Sequence, residues 1–213
     1  MQFISGPLFA AAVVASGLAA QAATFSTTGT GQSAASHSFS ADGLGLTASG
    51  VRCTATACSA VDVQRFGNGL AIKDGRHDDH RVDGNGTTEA VVLAFDADVV
   101  LEGLEFSYVE KPWDDFRIWS LAAGGWTALT GVLEIVDRKV GDANSGGFYT
   151  FVEGLAGRTF AVATTDYTDA WKLKGVTASR PVDNAPPPVP LPAGAALLIG
   201  GLGVLGLLRR RRG

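Results

Sequence analysis

Hydrophobic and polar residues alternate in short segments between residues 23 and 183, and Gly, Asp and Asn separate these segments. A period of two places alternate side chains on opposite faces of an extended strand. In DFRIWSL, for example, Arg117 and Trp119 fall opposite two apolar residues. The residues predicted to share buried strand faces are Val91, Leu93 and Phe95; Leu104, Phe106 and Tyr108; and Phe116 and Ile118.

The alternating segments predict roughly nine to eleven strands, with turn signals about every ten residues. Little of this region has the period of a helix. The pattern therefore predicts an all-β fold, an antiparallel β-sandwich of the jelly-roll type. We expect this sandwich over residues 23–183, flanked by an N-terminal signal helix and a C-terminal transmembrane helix.

Residues 1–22 are typical of a secretory signal peptide. The segment is apolar almost throughout and ends in Ala20-Gln21-Ala22, the small-x-small pattern that signal peptidase accepts. It departs from the usual signal in having no Lys or Arg before the apolar stretch. The alternative, a buried N-terminal helix, is weaker because a soluble domain rarely opens with twenty uncharged residues.

The C-terminus combines a Pro-rich linker, residues 184–192, with an apolar segment that ends in Arg209, Arg210, Arg211 and Arg212. Residues 193–208 carry no charge. As a helix they would span roughly 24 Å, slightly less than a hydrocarbon core of about 30 Å. Clustered arginines stay on the cytoplasmic side of a membrane, so residues 193–213 predict a transmembrane helix with the preceding domain outside the cytoplasm.

The string VPLPAGAALLIGGLGVLGLLRRRR resembles a VPLPA-CTERM sorting signal, a variant of the PEP-CTERM signals of Gram-negative bacteria. The residues that carry the motif are Val189, Pro190, Leu191, Pro192 and Ala193. The resemblance implies that an exosortase recognises and cleaves an inner-membrane precursor, which then passes to the cell surface or extracellular matrix. These five residues would serve as a substrate; a permanent membrane anchor is the alternative.

The region before the tail resembles the exosortase-dependent surface-protein domains that often precede such signals. The segments that carry this resemblance are GLGLTASG, the cysteine pair, HRVDGNGTTEAVVLAFDADVVLEGLEFSYV and FAVATTDYTDAWKLKGVTA. The resemblance implies a shared β-sandwich. It carries over no catalytic residue, because that family is largely without assigned activity.

The charge of the chain is unevenly distributed. All 21 Asp and Glu residues lie between the two terminal segments, whereas four of the 17 Lys and Arg residues belong to the tail, so the central region has a formal charge of −8. Such a surface repels phosphate backbones, which argues against a nucleic-acid partner.

Cys53 and Cys58 are the two cysteines of the chain. In an oxidising compartment, two close cysteines flanked by small residues are expected to form a disulfide. Zinc would need further ligands that no neighbouring motif supplies, and a redox motif normally has two intervening residues rather than four.

The most polar segment, KDGRHDDHRVDGNGTTE, suits calcium because it gathers oxygen ligands in a Gly-rich loop. The candidate ligands are Asp79, Asp83, Asn85 and Glu89, with Asp166 and Asp169 joining them if the fold brings the two loops together. The EF-hand pattern fails, and zinc at His77 and His80 lacks a third ligand. A solvated loop whose Asp and Asn residues cap turns is the simpler interpretation.

The four tryptophans raise the question of carbohydrate binding. Trp113 is the best candidate, because it lies in the loop EKPWDDF beside Asp114 and Asp115, which could accept sugar hydroxyls. Trp119 and Trp171 lie within strand patterns, which favours the core for both.

Enzymatic signatures are missing from the sequence: there is no G-x-S-x-G, no H-E-x-x-H and no phosphate-binding loop. We therefore expect a non-enzymatic surface or matrix protein with a structural or adhesive role. The alternative is a carbohydrate-binding module for exopolysaccharide, assisted by calcium if the polar loop binds it.

Overall fold

The computed structural model describes residues 21–31, 33–54, 57–73, 80–109, 111–122, 125–139 and 145–181, all within the unit Met1–Pro181. The signal segment up to residue 20, Asp79, the sorting motif Val189–Ala193 and Arg209–Arg212 lie outside the described residues. Within the described ranges, no helix is long and apolar enough to cross a membrane.

The described residues form fourteen strands and no helix, so the all-β prediction is confirmed. The strands are β1 (Ala23–Ser26), β2 (Ser33–Ala34), β3 (Ser36–Ala41), β4 (Leu44–Cys53), β5 (Cys58–Phe66), β6 (Gly69–Lys73), β7 (Val82–Asp83), β8 (Thr88–Ser107), β9 (Asp115–Ala122), β10 (Gly125–Ala128), β11 (Leu133–Glu134), β12 (Val136–Lys139), β13 (Gly146–Ala163) and β14 (Ala170–Ser179).

All the strand pairs are antiparallel, and the main path through the sheet runs β1-β14-β6-β5-β4-β8-β13-β9-β10. The twenty-residue β8 organises this path. Its first half pairs with β4 and its second half with β14, while β13 follows it on the other side. Because β14 also pairs with β6, the strands β4, β5, β6, β14 and β8 close into a circuit.

The main core lies on one face of these strands. Every residue predicted to be buried by alternation, Tyr108 excepted, lies in this core. Its aromatic centre is Phe106, whose ring centroid lies 4.8 Å from that of Phe116 and 5.1 Å from that of Trp171. Trp171 is completely buried, so its predicted place in the core is confirmed.

Tyr108 is the exception to this alternation. β8 ends at Ser107, and Tyr108 has a φ of +54°, in the left-handed region. Its backbone N–H donates to the carbonyl of Ser145, which turns the chain out of the ladder. The period-two pattern therefore predicts one buried residue too many, because alternation in the sequence does not show where a strand ends.

Lys172 is a buried cation, only 5% exposed, on the face of β14 opposite the core residues Trp171 and Leu173. Its ammonium lies 3.9 Å from the centre of the Phe66 ring and 4.7 Å from that of Tyr108, and it donates to the Asn68 side-chain oxygen at 3.3 Å. Burial lowers the pKa of Lys172 below its ordinary value of 10.5, and the nearby charge of Arg81 lowers it further.

We expect Lys172→Met to remove a pH dependence of stability. In the unfolded chain Lys172 keeps its proton up to about pH 10.5, whereas the folded chain releases it at lower pH. Between those two values the unfolded state binds more protons, so the wild-type free energy of unfolding rises with pH relative to the variant. Urea unfolding at a series of pH values from 7 to 10.5 measures this dependence. If the free energies of unfolding of the two proteins changed with pH in parallel, the prediction would be contradicted.

Candidate functional site

A groove crosses the strands on the face opposite the main core. Its volume is about 280 Å3. We call it the tryptophan groove, and it is lined by Val51, Cys53, Cys58, Thr88, Ala90, Arg117, Trp119, Trp126, Ala161, Ala163, Thr164 and Thr165. The apolar part of this lining belongs to a small second cluster of buried residues, separate from the core.

Strand register explains why small side chains form the floor of the groove. Ala161 pairs with Val92 on one side and Trp119 on the other, and Ala163 pairs in the same way with Ala90 and Arg117. Because directly opposed residues lie on the same face of a sheet, the alanines form a shallow floor between larger neighbours. Small side chains on the middle strands thus leave space that the flanking strands do not fill.

Two tryptophans rise beside this floor. Ala128 of β10 pairs with Trp119 of β9, and Trp126 lies two residues before Ala128, so both indoles lie on the groove face. Both are partly buried and pack against the alanine cluster. The prediction that Trp119 lies in the core is therefore wrong: the alternation places it opposite Phe116 and Ile118, on the outer face.

A disulfide joins Cys53 to Cys58 at the end of the groove, which confirms the predicted pairing. The two cysteines are directly opposed in the β4–β5 pair, with Cα atoms 4.0 Å apart. The turn between them is closed by a hydrogen bond from the Thr54 N–H to the Ala57 carbonyl at 2.8 Å. The disulfide thus holds together the two strand ends that form one wall.

Replacing both Cys53 and Cys58 with serine is expected to lower the free energy of unfolding by about 2 kcal/mol, the chain-entropy value for so short a loop. Urea denaturation without reductant measures the difference. Adding reductant should shift the wild-type midpoint to that of the variant and leave the variant unchanged. Equal midpoints for the two oxidised proteins would contradict the expectation.

A second cavity of about 420 Å3 adjoins the groove at the disulfide. Cys53 and Thr88 line both, so the two spaces are contiguous. The second cavity adds the exposed Tyr167 ring and Asp166. Hydrogen bonds from the Thr168 hydroxyl and N–H hold the pKa of Asp166 below its ordinary value of 3.8, so this end of the surface carries a negative charge at neutral pH.

The loops that carry Asp83 and Asp169 do meet, as the calcium hypothesis required. The Gly84 N–H donates to the Asp169 carbonyl at 3.1 Å. A Cβ on Gly84 would overlap the Asp166 carbonyl oxygen, so only glycine allows this approach. The carboxylate of Asp169 is turned inward, however, and accepts hydrogen bonds from the N–H groups of Asp115, Thr165 and Asp166 and from the Thr165 hydroxyl.

The other candidate calcium ligands also have internal partners. Glu89 is buried, with one carboxylate oxygen 3.1 Å from the Arg52 guanidinium and the other accepting the Asp83 N–H. The Asp83 carboxylate accepts the Asn85 N–H at 2.9 Å. No group of three or more His, Cys, Asp or Glu among the described residues could hold a metal ion. Because Asp79 lies outside them, calcium binding stays a prediction.

The predicted carbohydrate set in the loop before β9 is not assembled as one surface. Trp113 is 58% exposed, but Asp114 is fully buried and its carboxylate accepts the Lys111 N–H at 2.8 Å. The backbone of Asp115 is used in the interior, where its carbonyl accepts the Trp171 indole N–H. Trp113 is thus an exposed ring without the Asp114 carboxylate at the surface beside it.

No protein-family model, curated protein or solved structure matches the chain. The tryptophan groove brings together two aromatic side chains, an alanine floor, threonines and an arginine. Such a mixture of apolar and polar groups is typical of ligand sites. The sequence signal that could have indicated it is the placement of Trp119 opposite Phe116, together with a second tryptophan one short turn later at Trp126.

Proposed function

We propose that this protein is a non-enzymatic adhesive protein of the cell surface or extracellular matrix and that it binds carbohydrate in the tryptophan groove. The observation that carries the proposal is the placement of Trp119 and Trp126 on one outward face above an alanine floor. A pyranose ring has an apolar C–H face and a hydroxyl rim. Its face stacks on an indole, and its rim meets polar groups.

Polar residues line the groove beside the tryptophans, and Thr88 and Arg117 are two of them. Thr164 and Thr165 also line it, but their hydroxyls donate to the Asp83 carbonyl and the Asp169 carboxylate. The contiguous second cavity with Tyr167 extends the surface. This extension favours a polysaccharide chain over a single sugar, because a chain can contact both aromatic ends at once.

Export through an exosortase-type tail is part of the same proposal, with signal peptidase and exosortase as processing enzymes. Two features support export. β1 begins at Ala23, the residue that follows the predicted signal peptide, and the Cys53–Cys58 disulfide is of a kind that persists in oxidising compartments. The jelly-roll sandwich remains the proposed fold type, supported by strand pairs that are antiparallel and by a main core that lies on one face of the strands.

Mass spectrometry of the native protein tests the sorting proposal. If the mature chain begins at Ala23 and ends between Val189 and Ala193, the tail is a cleaved signal. Peptides that extend through Arg209–Arg212 in the membrane fraction would show a permanent anchor and contradict the exosortase proposal.

Binding of the purified full chain to a panel of polysaccharides tests the carbohydrate proposal. We expect retention by at least one polysaccharide for both the wild type and Trp113→Ala, because Trp113 lies outside the groove. Binding by no polysaccharide, together with self-association of the chain, would overturn the carbohydrate part and leave a purely structural role.

A further inference from the structure

Arg117 places a positive charge in the tryptophan groove. It lies on β9 two residues before Trp119, so the two side chains share a face, and its guanidinium carbon is 6.0 Å from the centre of the Trp119 ring. The register sets it beside Ala163 on the groove floor. A guanidinium near an indole face is attracted by the ring and is thereby oriented over the floor.

Arg117 forms no ion pair within the part of the protein that the structure describes. Its Nε atom is buried and has no hydrogen-bond partner there, and the two ion pairs between described residues are Arg52–Glu89 and Lys174–Glu105. Arg117 as a whole is only partly buried, so a ligand carboxylate in the groove can reach its guanidinium and supply an acceptor.

The carboxylates around the groove are mostly occupied elsewhere. Glu89 is paired with Arg52, Asp169 accepts four hydrogen bonds inside its turn, and Asp114 is buried in the loop before β9. Asp115 precedes Arg117 by two residues on β9 and does not form an ion pair with it. Asp166 faces the second cavity. The register puts Arg117 between Trp119 and the second cavity, so the groove carries the positive charge and the second cavity carries the negative charge of Asp166.

We propose that the groove selects acidic polysaccharides of the uronic acid class, whose sugar rings carry a carboxylate. The inference rests on the proposed carbohydrate function and names the class of ligand. Trp119 stacks on the ring, and Arg117 donates to the ring's carboxylate, for which the planar guanidinium offers two parallel N–H groups. The acidic end at Asp166 disfavours a carboxylate in the second cavity, which fixes where the charged group lies.

The overall acidity of the protein does not prevent such binding at physiological salt. Charges separated by more than about 8 Å in solvent are largely screened at 0.15 M, whereas a contact in a partly buried groove is screened much less. The local guanidinium therefore outweighs distant surface carboxylates at that ionic strength.

The test compares two probes that differ only in charge: oligomers of galacturonic acid and the same oligomers with their carboxyls methyl-esterified, each titrated calorimetrically into the full chain at 0.15 M salt. Oligomers of mannuronic and glucuronic acid with their esters repeat the comparison for other ring stereochemistries. We expect the wild type to bind at least one acid roughly tenfold or more tightly than its ester. Arg117→Gln should weaken binding of the acid much more than binding of the ester and so lose this preference.

Two variants complete the design. Arg117→Lys keeps the positive charge but loses the two parallel N–H groups of the guanidinium, so it should retain only part of the preference for the acid over the ester. Lys73→Gln removes one positive charge from the exposed last residue of the otherwise buried β6, outside the groove, and should change neither affinity. The wild-type preference is itself a test if Arg117→Gln fails to fold.

Equal or tighter ester binding by the wild type would overturn the inference and leave the proposed function standing, whereas binding of neither probe class nor of any neutral glycan would overturn both. An acid preference that survives in folded Arg117→Gln would overturn the role of Arg117.

Discussion

Replacing Trp119 with alanine is expected to weaken binding of any oligosaccharide that the wild type binds by roughly 30-fold. The estimate corresponds to about 2 kcal/mol, a common cost for truncating a central aromatic anchor. Trp119 is central because it pairs with Ala161 on the floor, shares its face with Trp126 of the adjacent strand β10 and lies beside Arg117. Its removal takes away the stacking face and the group that orients the guanidinium. Isothermal titration measures the change.

Trp126→Ala should have a similar effect, since its ring forms the other side of the same surface. Trp113→Ala is the matched control because this tryptophan is more exposed than any other yet lies outside the groove. Thermal melts of all three variants separate a loss of binding from a loss of folding. Full affinity in folded Trp119→Ala, or loss of affinity in Trp113→Ala, would place the site elsewhere.

Asp169→Ala is expected to lower the free energy of unfolding by about 3–5 kcal/mol, the scale on which a broken buried polar network destabilises a domain. The carboxylate is 1% exposed and accepts hydrogen bonds from three backbone N–H groups and one hydroxyl. These donors belong to the turn before β14 and to the start of β9. Removing the carboxylate would therefore remove the hydrogen bonds that join these two segments. Chemical denaturation measures it.

Asp169→Asn is the conservative partner of this variant, because an amide keeps one oxygen acceptor in the same place. The free energy of unfolding of Asp169→Asn should lie between those of the wild type and Asp169→Ala. Asp166→Ala serves as the local control, since Asp166 is exposed and the hydrogen bonds of its carboxylate stay within its own turn. If Asp169→Ala unfolded at the same denaturant concentration as Asp166→Ala, the structural role assigned to Asp169 would be wrong.

The strand faces that build the core could be predicted because their signal is local. Val91, Leu93 and Phe95 repeat with a period of two, and so do Phe116 and Ile118. The disulfide was equally predictable, since Cys53 and Cys58 are close enough to face each other across a single hairpin. Each of these features depends on residues within a few positions of one another.

The tryptophan groove could not be predicted in the same way, because six strands from widely separated parts of the sequence form it. The alternation places Trp119 opposite Phe116, but whether that face is covered depends on which strands become its neighbours. β13 brings alanines there and β10 brings Trp126, a combination set by register rather than by pattern. The choice between a ligand and a structural role for Asp169 likewise depended on contacts with Asp115, 54 residues away.

The most direct test of carbohydrate binding in the tryptophan groove is an NMR titration of the four tryptophan indole N–H signals with an oligosaccharide that the chain retains. We expect the Trp119 and Trp126 signals to shift together and to saturate at one affinity, while those of buried Trp171 and of Trp113 stay in place. Movement of the Trp113 signal alone, or no movement at saturating ligand, would contradict the assignment of the groove as the binding site.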